Sequence, residues 1–202
     1  MKIGIIDYGA GNTANVKNAF SKLEIDATVS DSRALWENAD AIVLPGVGSF
    51  GSAMEKLGDS KESIIAIIKS GKPFLGICLG MQLLLDSSQE SQEVKGFGII
   101  KGKVNRFNST LPVPQTGWNY VKPVSSLYSI LFDGLGDFYA YFNHSYYCKP
   151  NEKNWISATA NYGIEFPCAL AKSNIYATQF HPEKSGKVGL QILQNFIHLV
   201  RK

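Results

Sequence analysis

The chain has 202 residues, of which 45% are hydrophobic and 18% are charged, and its formal net charge is +3. This composition is typical of a globular protein, and so small a net charge gives no indication of binding to nucleic acid or to a membrane surface. No apolar run is typical of a membrane span or a secretory signal, and we expect one cytoplasmic domain over residues 1–202.

The first half of the sequence alternates between strand and helix patterns. Short apolar runs bounded by turn residues predict β-strands over residues 3–7, 26–30, 39–44 and 73–77. Apolar side chains at helical spacing predict helices over residues 13–23 and 60–70, and Gly71 ends the second one. Such alternation indicates a parallel sheet covered by helices on both faces.

The second half differs, because its short segments are rich in aromatic and β-branched residues and are separated by Gly, Pro, Asn and Ser. This pattern predicts strands over residues 98–107, 118–121, 138–142, 155–160, 168–171 and 175–179, followed by a helix over residues 186–200. The predicted fold class is therefore α/β, with a mostly parallel sheet flanked by helices and an added antiparallel β region.

The segment Gly76-Ile-Cys78-Leu-Gly80 joins the strand at 73–77 to a helix-like stretch that runs to Leu85. Small residues on both sides of a reactive side chain are typical of a nucleophile elbow, which is a sharp strand-to-helix turn. The sequence predicts an exposed Cys78 thiolate on this turn, stabilised by the positive end of the helix dipole. The remaining cysteines are too widely spaced for a disulfide framework or a zinc site, and neither a metal nor a cofactor is expected.

A thiolate nucleophile needs a base, and the base needs an orienting group. His181 and Glu183 follow the apolar strand at 175–179, and alternate residues of an extended segment point the same way. Pro182 between them favours that extended geometry. The Glu183 carboxylate is therefore predicted to hold the His181 imidazole, whereas His198 fits a structural or solvent-facing place on the last helix.

Acyl transfer also requires hydrogen-bond donors for an oxyanion. One predicted donor is the N–H of Leu79, directly after the nucleophile. A second is predicted from the turn Pro45-Gly46-Val47-Gly48, because the carboxyl ends of strands in an open α/β sheet face one crevice. Gly46 and Gly48 could instead serve only to permit a tight turn, and the two interpretations are compatible.

The motifs Gly-Ile-Cys78-Leu-Gly-Met-Gln82 and Phe-His181-Pro-Glu183-Lys-Ser resemble those of the class I, or triad-type, glutamine amidotransferases. From Lys2 to about Phe196, further segments resemble one branch of that family, the glutaminase subunits of imidazole glycerol phosphate synthase. These segments are Ile-Asp-Tyr-Gly-Ala-Gly-Asn12, Pro45-Gly-Val-Gly-Ser-Phe50, Gly117-Trp-Asn119 and Tyr141-Phe-Asn-His-Ser-Tyr-Tyr147.

The resemblance implies that Cys78 attacks the side-chain amide of glutamine and that Glu183 orients His181. His181 would protonate the departing ammonia and then activate water against the glutamyl thioester. By motif match, Gln82 and Glu90 would bind the substrate glutamine together with the backbone of Gly46 and Gly48. The Pro-Gly-Val-Gly peptide would reorient when the partner is active, so that the Val47 N–H completes the oxyanion hole beside Leu79.

The resemblance also implies a heterodimer. The partner would be the cyclase subunit of imidazole glycerol phosphate synthase, a (β/α)8 barrel that takes up the ammonia in histidine biosynthesis. Four residues match positions that face this partner, namely Asn12, Trp118, Tyr141 and Lys184.

Three residues depart from the pattern of that branch, namely Thr13, Thr116 and Asn143. They lie in segments that match partner-facing or gating regions of the branch. A second interpretation therefore stays open, in which the chain is a paralogous subunit that supplies ammonia to a sugar amidotransferase in surface-glycan modification.

Two further interpretations come from other functional classes. Gly9-Ala-Gly11 follows the first predicted strand and Asp31 lies about 20 residues further on, which formally satisfies a dinucleotide-binding fingerprint. A cysteine peptidase or esterase would use the same three side chains without an ammonia-accepting partner. Binding of nicotinamide dinucleotides and release of ammonia from glutamine are the measurements that separate these classes.

Overall fold

The computed structural model describes residues 1–108, 110–124 and 129–201. Its first part contains β1 (Lys2–Ile6), α1 (Thr13–Ser21), β2 (Asp26–Ser30), α2 (Arg33–Asn38), β3 (Ala41–Gly46), α3 (Phe50–Leu57), α4 (Ser60–Lys69), β4 (Phe74–Cys78) and α5 (Leu79–Gln82). The remainder contains β5 (Leu85–Ser88), β6 (Ser91–Lys95), β7 (Ile100–Arg106), β8 (Gln115–Pro123), β9 (Phe138–His144), β10 (Tyr146–Pro150), β11 (Ile156–Asn161), β12 (Glu165–Lys172), β13 (Ile175–Thr178) and α6 (Gly186–Val200).

The described strands form two sheets. The larger has the order β2-β1-β3-β4-β13-β12-β11-β8-β9, and the smaller has the order β10-β7-β5-β6. Neighbouring strands from β2 to β13 are parallel, whereas those from β13 to β9 are antiparallel. The predicted fold class is confirmed. The antiparallel strands β12, β11, β8 and β9 continue the parallel sheet, whereas β10 belongs to the smaller second sheet.

Both faces of the parallel half are buried under helices, which explains its almost continuous apolar strands. Ile5 of β1 packs in a cluster with Phe20 of α1 and Phe196 of α6. The adjacent Ile6 points to the opposite face and joins a cluster with Trp36 of α2. No helix in the described ranges is long and apolar enough to cross a membrane.

The sequence patterns missed α2 and α3, and they missed strands β5, β6 and β10. α2 and α3 have six and eight residues, which is too short for apolar spacing to repeat reliably. The helix expected to reach Leu85 is wrong in length, since α5 ends at Gln82. The carbonyls of Leu83 and Leu84 accept hydrogen bonds from the backbones of Phe97 and Ile100, so no further helical turn forms.

Candidate active site

The carboxyl ends of three parallel strands lie side by side and create the site. In the sheet register, Gly46 at the end of β3 pairs with Cys78 at the end of β4. On the other side of β4, Thr178 of β13 pairs with Ile77. Because His181 follows β13 by three residues, the sheet itself brings it to the end of the strand that carries Cys78.

The turn at Cys78 has an unusual backbone, with φ of 56° and ψ of −107°. Side-chain-bearing residues seldom adopt positive φ, and such strain is often found at functional sites. A Cβ atom on Gly76 would lie 2.7 Å from the carbonyl oxygen of Gly80. A Cβ atom on Gly80 would overlap with the carbonyl oxygen of Leu44 in β3. The glycines that predicted the elbow are therefore required by direct contact between backbone segments.

The Cys78 side chain is not exposed as the sequence predicted, because residue 78 is only 6% exposed. Its sulfur lies 3.6 Å from Nε2 of Gln179 and 3.9 Å from the carbonyl oxygen of Asn143. Gln179 directly follows β13 and Asn143 belongs to β9, so both residues cover the elbow from the part of the sheet beyond β4. Cys78 nevertheless lines a cleft at the end of the sheet, so the sulfur lies at the bottom of this cleft.

His181 and Glu183 form a buried pair. Nδ1 of His181 lies 2.7 Å from Oε1 of Glu183, and the two side chains are 3% and 1% exposed. The extended geometry expected after His181 is wrong, since Pro182–Lys184 form a short 3-10 helix. This turn folds the carboxylate back against the imidazole.

Ser185 holds this turn in place, a role that its motif did not predict. Its buried hydroxyl donates to the carbonyl of His181 at 2.7 Å and accepts from the N–H of Tyr141 at 3.0 Å. The N–H of His181 donates in turn to the carbonyl of Tyr141 at 2.9 Å. The ring of His181 is thereby fixed between β9 and the start of α6.

The protonation of His181 reflects competing effects. Burial lowers the pKa of the imidazole, but hydrogen bonds to Cys78 and Glu183, with charge attraction to both, outweigh burial and raise the pKa from 6.5 to about 10. The ring is therefore protonated at neutral pH. In this form it donates Nδ1–H to Glu183 and has a second proton available beside the sulfur of Cys78.

The cleft above Cys78 has a volume of about 270 Å³. This is at the small end of ligand pockets and suits a small metabolite better than a dinucleotide. Besides Cys78 and His181, its lining includes six residues that the sequence singled out, Val47, Gly48, Leu79, Gln82, Glu90 and Lys184.

Gln82 and Glu90 are held firmly in the cleft wall. The Glu90 carboxylate accepts a 2.7 Å hydrogen bond from the N–H of Phe50, at the start of α3. Gln82 is buried and donates from Nε2 to the Tyr146 carbonyl at 3.2 Å and to Oε1 of Gln179 at 3.1 Å. Gln179 and Tyr146 were not identified from the sequence, since each lies far along the chain from Gln82, the residue that it contacts here.

The turn after β3 lies beside the elbow. A Cβ atom on Gly46 would lie 2.7 Å from both Cβ of Leu79 and the Tyr8 hydroxyl, and Gly48 has φ of 95°. Both glycines are thus required by the local geometry. Val47 between them is 43% exposed. The oxyanion-hole roles of Val47 and Leu79 remain predictions.

Three of the four predicted partner-facing residues lie together. Trp118 of β8 pairs with Tyr141 of β9, with ring centroids 6.3 Å apart. Nζ of Lys184 lies 5.6 Å from the centre of the Tyr141 ring. Asn12 has a different local contact, because its Oδ1 accepts a 3.2 Å hydrogen bond from the N–H of Asn15 and caps α1.

A cysteine on a strand-to-helix turn beside a buried histidine–glutamate pair is typical of α/β enzymes that use a cysteine nucleophile. A more specific assignment comes from comparison with known proteins. The family model described as glutamine amidotransferase class-I matches residues 4–200. The chain belongs to this family and is a glutamine amidotransferase.

Two relatives illustrate the similarity. Imidazole glycerol phosphate synthase subunit HisH of Methanothermobacter thermautotrophicus is 49% identical over 199 residues, which cover 98% of this chain and 99% of that protein. Imidazole glycerol phosphate synthase hisHF, chloroplastic, of Arabidopsis thaliana is 42% identical over 202 residues, which cover 97% of this chain and 34% of that longer protein.

Solved structures with lower sequence identity share the fold. A chain from the structure of PurLQS from Thermotoga maritima aligns with a TM-score of 0.76 at 15% identity, covering 98% of both chains. The glutaminase domain of Trypanosoma brucei CTPS with bound acivicin aligns with a TM-score of 0.69 at 16% identity, covering 98% of this chain and 94% of that one.

The buried imidazole of His144, which lines the cleft, should make the stability of the fold depend on pH. Burial lowers the pKa of its imidazole from 6.5 to about 4, against the opposing effect of the hydrogen bond to the Tyr146 carbonyl. Between these pH values the unfolded chain binds the proton and the folded chain does not, so the stability that neutral His144 contributes is present above pH 6.5 and decreases as the pH falls. For His144 alone we expect the free energy of unfolding, measured with urea, to fall by about 1.5 kcal/mol between pH 6.5 and pH 5.

The variant His144→Gln should remove most of this pH dependence. The matched control is His198→Gln on the exposed face of α6, which should keep the wild-type slope. An unchanged slope in His144→Gln would contradict the assignment of the effect to this buried ring.

Proposed function

We propose that this chain is the glutaminase subunit of an imidazole glycerol phosphate synthase and hydrolyses glutamine to glutamate and ammonia. The observation that carries the proposal is the buried His181–Glu183 pair, with a 2.7 Å contact, at the cleft that contains the Cys78 elbow. The 49% identity to a HisH subunit supports this branch of the family.

The first half-reaction forms a thioester. The Cys78 sulfur adds to the carboxamide carbon of glutamine, and the carbonyl oxygen becomes an oxyanion that accepts hydrogen bonds from the N–H groups of Leu79 and Val47. Protonated His181 gives its proton to the amide nitrogen. The carbon–nitrogen bond then breaks, ammonia leaves, and the glutamyl group stays on the sulfur.

The second half-reaction hydrolyses the thioester. Neutral His181 takes a proton from water, and the resulting hydroxide adds to the thioester carbon. The carbon–sulfur bond breaks, glutamate is released with loss of one proton to solvent, and the thiolate–imidazolium pair is restored. Glu183 accepts the Nδ1–H of His181 in both half-reactions, which keeps one ring nitrogen directed at the reacting atoms.

Substrate binding in this proposal uses the polar walls of the cleft. The Glu90 carboxylate is suited to the α-ammonium group of glutamine, since the two carry opposite charge. The amide oxygen of Gln82 is suited to accept a hydrogen bond from the substrate. Backbone groups of the turn at Gly46 and Gly48 complete the binding site.

The ammonia acceptor in this proposal is a cyclase subunit. Trp118 and Tyr139 project from the exposed face of β8 and β9 and are 58% and 60% exposed. Tyr120 and Tyr141 belong to the same face by strand alternation. Aromatic groups are enriched at the centres of protein interfaces, and this aromatic face continues to Lys184 at the cleft. An interface here would place the acceptor close to the site of ammonia release.

A sugar amidotransferase is the second candidate partner. The observation that favours it is the contact between two residues that depart from the HisH-like pattern, since Oγ1 of Thr116 donates to Oδ1 of Asn143 at 3.1 Å. Asn143 also lines the cleft. The pair thus alters the surface between the cleft and the aromatic face, where a different partner would require a different contact.

The nucleophile assignment predicts the behaviour of Cys78→Ala. Ammonia release from glutamine, measured with the partner present, should fall at least about 1,000-fold, because the residual activity of a nucleophile variant comes from binding groups alone. The control is Cys168→Ala, which removes a fully buried thiol from β12 and should keep most of the activity. Substantial glutaminase activity in Cys78→Ala would defeat the proposal.

The partner assignment predicts the effect of Trp118→Ala. Affinity for the cyclase, measured by calorimetry, should weaken at least about 10-fold, as is common for a central aromatic side chain. Leu35→Ala on α2, where Leu35 is 48% exposed, is the matched control and should bind like the wild type. Binding to a sugar amidotransferase but not to the cyclase would favour the second candidate.

A further inference from the structure

Gln179 is a fully buried polar residue at the active site, and its accessible fraction is 0%. It directly follows β13, and its backbone N–H donates to the Cys168 carbonyl at 2.8 Å. Its side chain reaches the end of β4, where Nε2 lies 3.6 Å from the Cys78 sulfur. A buried amide in this position is costly unless its polar atoms are satisfied, so its partners indicate what it does.

A backbone carbonyl fixes the direction of this amide. The carbonyl oxygen of Tyr146 can only accept hydrogen bonds, and Gln82 donates to it from Nε2 at 3.2 Å. The Gln82 amide nitrogen therefore also faces Gln179, whose Oε1 accepts at 3.1 Å. With its oxygen directed at Gln82, Gln179 presents its NH2 group to the sulfur.

His144 reinforces the same arrangement. Its Nδ1 lies 2.7 Å from the Tyr146 carbonyl oxygen and must be the donor, so this oxygen accepts from two side chains. The direction of each hydrogen bond from Tyr146 through Gln82 and Gln179 to Cys78 is thereby determined. The series can supply an N–H donor to the sulfur and cannot supply an acceptor there.

The fixed direction of these hydrogen bonds affects both the Cys78 sulfur and the cleft. At the sulfur, an N–H donor favours the thiolate over the thiol, in addition to the contribution of protonated His181. At the cleft, both hydrogens of the Gln82 amide are used, which leaves Oε1 as the group that Gln82 offers to a ligand. An acceptor at this place matches an N–H of glutamine and is mismatched with a carboxylate oxygen of glutamate.

We propose that Gln179 is a further catalytic residue, which donates a hydrogen bond to the Cys78 thiolate and fixes Gln82 as an acceptor for substrate N–H groups. The proposal rests on the glutaminase function argued above. Its two effects are separable, because one depends on the Gln179 NH2 group and the other on its Oε1.

Two variants separate these effects in the full chain. Gln179→Glu keeps an oxygen for Gln82 and replaces the donor with a carboxylate that repels the thiolate. Gln179→Met keeps a similar volume and removes both groups. With the partner present, both variants should lower kcat about 10- to 100-fold, which is the range expected for a hydrogen bond to a charged group. KM for glutamine should rise only in Gln179→Met, which also frees the Gln82 amide to turn.

Alkylation of Cys78 by iodoacetamide gives a readout that needs neither glutamine nor partner. Its rate at neutral pH should fall about 10-fold or more in both variants. The matched control is Thr178→Val, which removes a buried hydroxyl that donates to the Phe180 carbonyl at 2.9 Å and should leave the alkylation rate unchanged. Thermal unfolding establishes that each variant is folded.

If either Gln179 variant does not fold, Gln82→Met tests the same series of hydrogen bonds at Gln82. It should slow the alkylation of Cys78 severalfold, because the Gln179 oxygen loses the donor that fixes its direction. Wild-type alkylation rates and kcat in a folded Gln179→Met, or an unchanged alkylation rate in Gln82→Met, would overturn the proposal. Failure of wild-type Cys78 to react selectively would instead count against the proposed function itself.

Discussion

The close contact between the backbones of β3 and α5 is the constraint on which the site depends. The turn at Cys78 can lie against the carbonyl of Leu44 only because Gly80 has no side chain. This contact places the sulfur at the end of β4, level with the turn at Gly46 and beside the end of the neighbouring β13, which His181 follows by three residues. A side chain at Gly80 would displace the turn and separate the groups that the sheet register brings together.

Near this turn, the two buried histidines differ in whether charged neighbours offset the cost of burying a protonated ring. His181 is protonated although it is buried, since the Cys78 sulfur and the Glu183 carboxylate both stabilise the cation. His144 lies near the same cleft without a carboxylate partner, and burial keeps it neutral. Two histidines of one site thus have opposite protonation at neutral pH, and only the one beside Glu183 is suited to protonate a leaving amine.

Local motifs and long-range contacts differ in how far the sequence predicts them. The elbow glycines, Cys78 and the His181–Glu183 pair each belong to a short motif, and the alternation of apolar segments predicts the parallel sheet. The contacts of Gln179 and Tyr146 with Gln82, and of Ser185 with Tyr141, are different, because they join segments that only the folded sheet brings together. The 3-10 turn at Pro182 also escaped prediction, since Pro182 is compatible with extended and with turn geometry.

The central claim is that Cys78 is the nucleophile that attacks glutamine. The most direct measurement is inactivation by a chloroketone analogue of glutamine, followed by peptide mapping by mass spectrometry. The account predicts one adduct for each chain, located on Cys78, with loss of activity in proportion to labelling and protection by glutamine. Labelling of a different residue, or full glutaminase activity after Cys78 has been modified, would contradict it.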